Sequence, residues 1–214
     1  ITPSTGVMTQ DDQFLIYSDN SAGYVRLAKK AADGKYNRVG TSQAGGSGRY
    51  TYQNNFITAD GNHAVLSGYH GLVIVSLDRI NETITQEVYD STYQIAVCNY
   101  NGKIYTFAAG NYKIYELVSG VFTLTYSGSY GNTMSLYGGG LVGDGLCLIS
   151  DSNIVNAKFI KLLPDGVQYY VPQSPLSHSV TSVTNIITDG SSVFYCGIDR
   201  SARTFYVDDS EVFV

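Results

Sequence analysis

The sequence contains no tryptophan, only four prolines and three cysteines, and little charge. Only 14% of its 214 residues are charged, and the formal net charge is −5. Binding to nucleic-acid phosphates requires clustered Lys and Arg, so this composition argues against a nucleic-acid partner. The longest apolar stretch, Gly71 to Leu77, is far too short to span a bilayer. We therefore expect neither nucleic-acid binding nor membrane insertion.

The few cysteines are scattered along the chain. Cys98, Cys147 and Cys196 each lie in an apolar segment, and none belongs to a CxxC pair. An odd and scattered set favours three buried, reduced thiols over a disulfide framework or a zinc site.

What is abundant is glycine, tyrosine and short apolar runs that restart at regular intervals. An Asp-Gly or Asn-Gly pair between two apolar runs, the signal of a tight β-hairpin, occurs in "FITADGNHAVLSG", "AVCNYNGKIYTFAAG", "GGLVGDGLCLISDS" and "NIITDGSSVFYCGI". A weaker copy, "GVMTQDDQFLIYSD", stands near the start. The anchor residues of the five copies are Asp11, Asp60, Asn101, Asp144 and Asp189, spaced by about 45 residues.

Each repeat continues with two further alternating runs. The third runs are "YVRLAKK", "LVIVSLD", "YKIYELV", "KFIKLLP" and "TFYVDD", and the fourth are "KYNRVG", "TITQEVY", "VFTLTYS", "VQYYVPQ" and "SEVFV". Period-2 alternation of β-branched and aromatic residues is typical of half-buried strands. Four strands in about 43 residues match one propeller blade. The sequence predicts an all-β, five-bladed β-propeller with four antiparallel strands per blade.

This single domain is expected to cover residues 1–214. The predicted blades are about 6–50, 51–93, 94–134, 135–180 and 181–214. No basic region precedes an apolar one at the N-terminus, so no signal peptide is visible. Because the chain starts at Ile1 rather than Met, we expect a domain excised from a longer protein.

Acidic turns suggest a cation site as the alternative to plain turn chemistry. The anchors should close the turn between the innermost and second strand of each blade, where they would form a ring around the central channel. Asp far outnumbers Glu, and short carboxylates suit Ca²⁺, although no D-x-[DN]-x-[DN]-G loop is present. The candidate calcium ligands are Asp60, Asn101, Asp144 and Asp189, with Asp19, Asp151 and Asp199 on the opposite face.

The long connections between blades are rich in Tyr, Ser, Gly and Asn, a mixture typical of binding surfaces. They are "TSQAGGSGRYTYQNN", "YSGSYGNTMSLYGGG" and "VPQSPLSHSVTSVTN", and together with the turn "SGYHG" they define the loop face. With 19 tyrosines, many must instead cap the core with their hydroxyls. The predicted ligand-binding residues are Tyr50, Tyr52, Tyr69, His70, Tyr93, Tyr130, Tyr137 and His178.

Catalytic signals are weak. The inner strands "GVMTQ", "FITA", "IAVCNY", "GGLVG" and "NIIT" carry no acid before the turn, whereas propeller glycosidases use a pair of carboxylates there. The four glutamates fall on outer strands or the turns between them, and no hydrolase or P-loop motif is present. The sequence therefore predicts a protein that is not an enzyme, with a five-bladed glycoside hydrolase as a minor alternative.

The repeats lack the Trp-Asp ending of WD40 blades and the Gly-Gly and Trp pattern of kelch blades. Their low charge and Tyr-Gly-Ser-Asn loops resemble the receptor-binding propeller heads of bacteriophage spikes, those of marine lipid-containing phages such as PM2 in particular. The resemblance implies attachment to a host cell-surface receptor such as a glycan, other spike domains as partners, location on the virion surface, and help from calcium. A secreted or surface lectin, in an extracellular location, and a protein-binding scaffold remain the alternatives.

Overall fold

The computed structural model describes most of the chain. The described residues are 3–19, 24–44, 55–68, 71–92, 94, 96–108, 110–129, 136–143, 145–151, 158–170, 183–188, 192–197 and 202–206. Within these ranges no helix is long and apolar enough to cross a membrane. The described elements are all β-strands.

The strands form antiparallel sheets in sequence order. Sheet 1 contains β1 (Pro3–Met8), β2 (Phe14–Asp19), β3 (Tyr24–Lys30) and β4 (Tyr36–Ala44), and sheet 2 contains β5 (Phe56–Ile57), β6 (His63–Gly68), β7 (Gly71–Asp78) and β8 (Thr83–Asp90). Sheet 3 contains β9 (Ala96–Tyr100), β10 (Lys103–Ala108), β11 (Asn111–Val118) and β12 (Val121–Ser129). Sheet 4 contains β13 (Leu136–Gly143), β14 (Leu146–Asp151), β15 (Lys158–Leu163) and β16 (Gly166–Tyr170). The described part of sheet 5 contains β17 (Val183–Thr188), β18 (Ser192–Gly197) and β19 (Ala202–Tyr206).

The four-strand repeat predicted from the sequence is confirmed in sheets 1 to 4. Each of these sheets consists of four consecutive strands, and each strand pairs with the next along the chain. The predicted fourth strand of the last repeat, "SEVFV", lies outside the described residues.

Alternating and continuous apolar patterns produce different kinds of strand. In β7 the four residues from Leu72 to Val75 are all fully buried, so this strand is covered on both faces. Such a strand has a continuous apolar sequence, which explains the run from Gly71 to Leu77. Strand β12, at an edge of sheet 3, shows the opposite burial pattern, because Phe122 is the only one of its residues that is buried.

The chain divides into two compact units. Unit 1 comprises residues 1–94 and 116–123, and unit 2 comprises residues 95–115 and 124–214. In unit 1 the first strands of two sheets, β1 and β5, lie side by side, as do their last strands β4 and β8. In unit 2 the first strands β9, β13 and β17 lie next to each other in that order. Inside each unit, neighbouring sheets therefore meet first strand to first strand.

The core of unit 1 lies between sheets 1 and 2. Apolar side chains of β1 to β3 pack there against those of β6 to β8, and their buried members are Val7, Phe14, Ile16, Val25, Leu27, Ala64, Leu66, Val73, Val75, Leu77 and Ile84. Burial of this kind contributes about 25 cal/mol for each Å² of apolar surface removed from water. The core holds the turns between strands in fixed positions, and the polar cluster described below is built on those turns.

The anchors Asp11, Asp60 and Asn101 lie on the turns where they were predicted, but the first two turns are longer than expected. Asn101 and Gly102 both have positive φ, as a two-residue hairpin requires. At the second anchor only Gly61 does. The Gly61 amide donates to the Thr58 carbonyl, and the Thr58 amide donates to the His63 carbonyl. Four residues therefore close this hairpin, because the Asp60 side chain organises the turn and leaves the positive φ to Gly61.

The connections between sheets are shorter than the sequence predicted. Strand β4 extends to Ala44, and β12 extends to Ser129. Strand β13 includes the glycine run from Gly138 to Gly140, which pairs with residues of β14. The segment "GGLVG" was predicted as the first strand of this repeat, but the strand already begins at Leu136, inside the predicted connection. Part of the predicted loop face is therefore sheet.

Candidate functional site

The turns that follow β1 and β5 have the same hydrogen-bonded construction. In the first, the Thr9 hydroxyl donates to the Asp11 carboxylate at 2.6 Å. In the second, the Thr58 hydroxyl donates to the Asp60 carboxylate, also at 2.6 Å. Each carboxylate also accepts the backbone amide two residues later, from Gln13 at 3.3 Å and Asn62 at 2.9 Å. The Thr-x-Asp spacing in "TQD" and "TAD" was the sequence signal for this arrangement.

A histidine lies directly behind the second carboxylate. His63 Nδ1 is 2.7 Å from Asp60 Oδ2, and the His63 side chain is only 6% exposed. The other ring nitrogen, Nε2, is 3.3 Å from Glu87 Oε1, but among the described residues it has no well-directed hydrogen-bond partner. The imidazole therefore lies between two carboxylates, one at the surface and one inside.

Glu87 is the buried end of this chain of polar groups. Its side chain is 7% exposed, and its Oε2 accepts the backbone amide of Phe122 at 2.7 Å. The Phe122 ring packs edge-on against the His63 ring, with 5.0 Å between ring centroids. A buried carboxylate requires such partners, because desolvation otherwise penalises its charge.

An arginine joins the two Thr-x-Asp turns. Arg79, on the turn between β7 and β8, has its Nη1 2.6 Å from Asp11 Oδ2. Its Nη2 donates to the Gly61 carbonyl at 3.1 Å. We call Asp11, Asp60, His63, Arg79 and Glu87 the Asp60 cluster. All five residues belong to unit 1.

The surroundings keep both surface carboxylates ionised. Burial raises the pKa of Asp60, but the hydrogen bonds from Thr58, Asn62 and His63 outweigh it, so the net pKa lies below the ordinary value of 3.8. For Asp11 the Thr9 hydroxyl is the largest cause of a lowered pKa, with further help from Arg79. At neutral pH the cluster therefore presents two carboxylates and a guanidinium at one end of sheets 1 and 2. It can accept protons from a bound water and stabilise negative charge that develops nearby.

Two further residues that were predicted as metal ligands, Asp19 and Asn101, lie within the described part of the chain. Asp19 is buried and its Oδ2 is 3.4 Å from Arg26 Nε, which occupies that carboxylate with an ion pair. Asn101 is exposed at its turn. Among the described residues, no group of three or more His, Cys, Asp or Glu side chains is arranged to hold a metal ion.

The other predicted sites lie outside the described residues in whole or in part. The predicted metal ligands Asp144, Asp189 and Asp199 fall outside, and Asp151 is described only as the last residue of β14. Tyr137 is described only as part of β13. The remaining loop-face residues outside the described ranges are Tyr50, Tyr52, Tyr69, His70, Tyr93, Tyr130 and His178. Ligand binding by these residues, and calcium binding, stay predictions.

No protein-family model matches the chain, and no curated protein matches it. Solved structures do match over almost its whole length. The periplasmic gluconolactonase of Pseudomonas aeruginosa is 12% identical, with a TM-score of 0.63 over 97% of this chain and 69% of that one. A 6-phosphogluconolactonase candidate from Bacteroides fragilis is 10% identical, with a TM-score of 0.68 over 98% and 68%. The WD40 β-propeller domain of Doa1 is 12% identical, with a TM-score of 0.57 over 99% and 71%.

These structures correct the prediction of a non-enzymatic phage spike head. The chain superposes on lactonase-type proteins, and none of the matched structures named here is a viral spike. The prediction was wrong because Tyr-rich, weakly charged loops are a surface property that unrelated propellers share. The virion-surface location and the host receptor stay predictions whose only support was that resemblance. The chain has an all-β fold of four-stranded antiparallel sheets that resembles β-propellers.

Proposed function

We propose that this protein is an enzyme that hydrolyses the cyclic ester of a sugar lactone. The observation that carries the proposal is the superposition of nearly the whole chain on one structure named as a gluconolactonase and two named as 6-phosphogluconolactonase candidates. A propeller fold also serves other functions, so the proposal further requires residues suited to the chemistry. The Asp60 cluster supplies such residues in unit 1.

Lactone hydrolysis requires that a water molecule lose a proton as it attacks the ester carbonyl. We assign that proton to Asp60. Its side chain is 32% exposed, so water can reach it, and its carboxylate is ionised at neutral pH because three hydrogen-bond donors lower its pKa. A positioned base of this kind contributes about 10² to 10⁴-fold in rate.

The attack places negative charge on the carbonyl oxygen, and a nearby cation lowers the energy of that charge. Arg79 is the candidate. Its guanidinium is held by Asp11 and the Gly61 carbonyl, and its side chain is 33% exposed. These contacts fix the cation beside the turn that carries Asp60.

His63 and Glu87 act behind Asp60 as positioning residues. His63 Nδ1 lies 2.7 Å from Asp60 Oδ2, which restricts the rotation of the carboxylate. Glu87 Oε1 lies 3.3 Å from the other ring nitrogen, so the ring is held between two carboxylates.

We further propose that the fold consists of five blades of four strands. Support comes from the five sequence repeats and from the adjacency of the first strands of neighbouring sheets inside each unit. In this arrangement the first strand of each blade faces the central axis, and Asp11 and Asp60 lie at the axial end of two blades. A substrate bound there would meet both carboxylates.

The experiment compares two Asp-to-Asn variants in a lactone hydrolysis assay. Asp60→Asn removes the proposed base, and we expect a loss of about 10² to 10⁴-fold in kcat/KM. Asp33→Asn is the matched control, because Asp33 accepts a backbone amide two residues later just as Asp60 does, but its side chain is 57% exposed and lies outside the cluster. We expect the control to keep full activity.

The proposal fails if the wild-type protein releases no acid from gluconolactone or its 6-phosphate above the rate in buffer. The assignment of Asp60 fails if the wild type is active and Asp60→Asn retains that activity. Circular dichroism and thermal melting of both variants verify that they are folded.

A further inference from the structure

Two of the cysteines lie in direct contact although they are far apart in sequence. Cys98 Sγ and Cys147 Sγ are 3.4 Å apart, and the residues are separated by 49 positions. Both side chains are almost fully buried, Cys98 at 3% exposure and Cys147 at 0%. Their burial agrees with the prediction from the sequence, but their contact was not foreseen.

The two thiols belong to neighbouring sheets of unit 2. Cys98 is on β9 and pairs with Tyr105 of β10. Cys147 is on β14, between Leu141 of β13 and Ile160 of β15. Strands β9 and β13 are neighbours, so the sulfur contact crosses from sheet 3 to sheet 4. Cross-strand pairing holds the Cys147 backbone on both sides and the Cys98 backbone on one side, since β9 is the edge strand of sheet 3.

We propose that Cys98 and Cys147 form a disulfide that joins sheets 3 and 4 when the protein folds in the presence of a disulfide donor. Sulfurs in a disulfide are about 2.05 Å apart, so the observed pair must approach by about 1.4 Å. Rotation of the two side chains, with the strand pairing kept, is the movement that we propose closes this gap. As sheets 3 and 4 assemble, folding brings the two residues together, and this proximity acts as a high effective concentration of the second thiol.

The reaction is a two-step thiol–disulfide exchange. One cysteine thiolate attacks a sulfur of the donor, breaks the donor disulfide and releases one donor thiol. The second cysteine thiolate attacks the resulting mixed disulfide, forms the Cys98–Cys147 bond and releases the second donor thiol. The two cysteines lose two electrons and two protons in total, and the donor gains them.

Burial determines when the bond forms. A donor cannot reach either thiol in the folded protein, because both side chains are shielded from solvent. The exchange must therefore occur during folding, before sheets 3 and 4 close over the pair. The same burial then protects the finished bond from reductants, since exchange requires access to a sulfur.

The test is refolding of the full chain, unfolded and reduced, into either reduced glutathione alone or a mixture of reduced and oxidised glutathione. After remaining thiols are blocked, mass spectrometry of proteolytic peptides identifies any cross-link. We expect one intramolecular link, between the peptides that contain Cys98 and Cys147. The linked protein should melt roughly 5 to 15 °C above the reduced protein, and a reductant applied after unfolding should abolish the difference.

Serine variants identify the partners. Cys196→Ser should keep both the cross-link and the rise in melting temperature, whereas Cys98→Ser and Cys147→Ser should lose both. If a serine variant fails to fold, peptide mapping and melting of the wild type still test the proposal. Absence of the link, a link through Cys196, or a linked protein that melts no higher than the reduced one would each contradict it.

Discussion

The buried carboxylate of Glu87 lies between the His63 ring and the Phe122 backbone amide. In Glu87→Ala the Phe122 amide loses its acceptor, and a cavity opens beside the His63 ring. Leaving a buried amide without an acceptor costs about 1 to 3 kcal/mol, and the cavity left by the side chain adds to that cost. Glu87→Gln keeps an oxygen for the Phe122 amide and loses only the charge, so about 1 to 2 kcal/mol is expected.

The matched control is Glu82→Gln. Glu82 also lies beside a basic side chain, that of Lys29, but the Glu82 and Lys29 side chains are 35% and 42% exposed. An exposed ion pair contributes about 1 kcal/mol or less. The same chemical change should therefore have different effects at the two glutamates, because only one is buried.

Urea unfolding of the four proteins, followed by circular dichroism and by tyrosine fluorescence, measures these differences. Coincident transitions by the two probes are required before a single free energy of unfolding is assigned. We expect stability to decrease in the order wild type, Glu82→Gln, Glu87→Gln, Glu87→Ala. If Glu87→Ala is as stable as Glu82→Gln, the carboxylate does not support the His63 and Phe122 contacts, and the account of the cluster is wrong.

Three further predictions concern backbone fit, pH and the cross-link. Gly71→Ala should lower the free energy of unfolding by several kcal/mol, because Gly71 has φ +118° and a Cβ there would lie 1.9 Å from the Asp90 carbonyl oxygen. Gly34→Ala is the control: Gly34 has open space around it, and the substitution should cost about 1 kcal/mol. Urea unfolding measures both. Since the folded pKa of Asp60 is depressed, its contribution to stability is present above pH 3.8 and is lost as the pH falls through the folded pKa. Correspondingly, kcat/KM should stay level from neutral pH down toward 3.8, and a decline centred near pH 6.5, typical of a histidine base, would refute the assignment. The proposed disulfide closes a loop of 49 positions and should add about 4 kcal/mol to the free energy of unfolding, measured as the difference between oxidised and reduced protein.

The strands could be predicted from the sequence because their signals are local. The run "YVRLAKK" is β3, and "TITQEVY" lies within β8, since alternation and flanking turns define a strand without reference to the rest of the chain. The anchors Asp11 and Asp60 were found for the same reason. Even there the turn type was missed, because it depends on which backbone amide the carboxylate accepts.

The polar cluster could not be predicted because its contacts connect distant parts of the chain. Glu87 was correctly placed on a fourth strand, but nothing in "TITQEVY" indicates that this glutamate is buried. Its burial depends on Phe122, 35 positions later. Arg79 and Asp11 are 68 positions apart, and only the packing of sheet 2 against sheet 1 brings them together. The sequence was searched for acidic residues only on the first strand of each repeat, so the Asp60 cluster was missed.

The initial rate of lactone hydrolysis by the purified wild-type protein tests the central claim most directly. Gluconolactone and 6-phosphogluconolactone are each mixed with the protein, and acid release is followed with a pH indicator against a buffer blank. The proposed function predicts that at least one lactone is hydrolysed at a rate proportional to protein concentration. Rates equal to the blank for both lactones, with protein shown to be folded by circular dichroism, would contradict it.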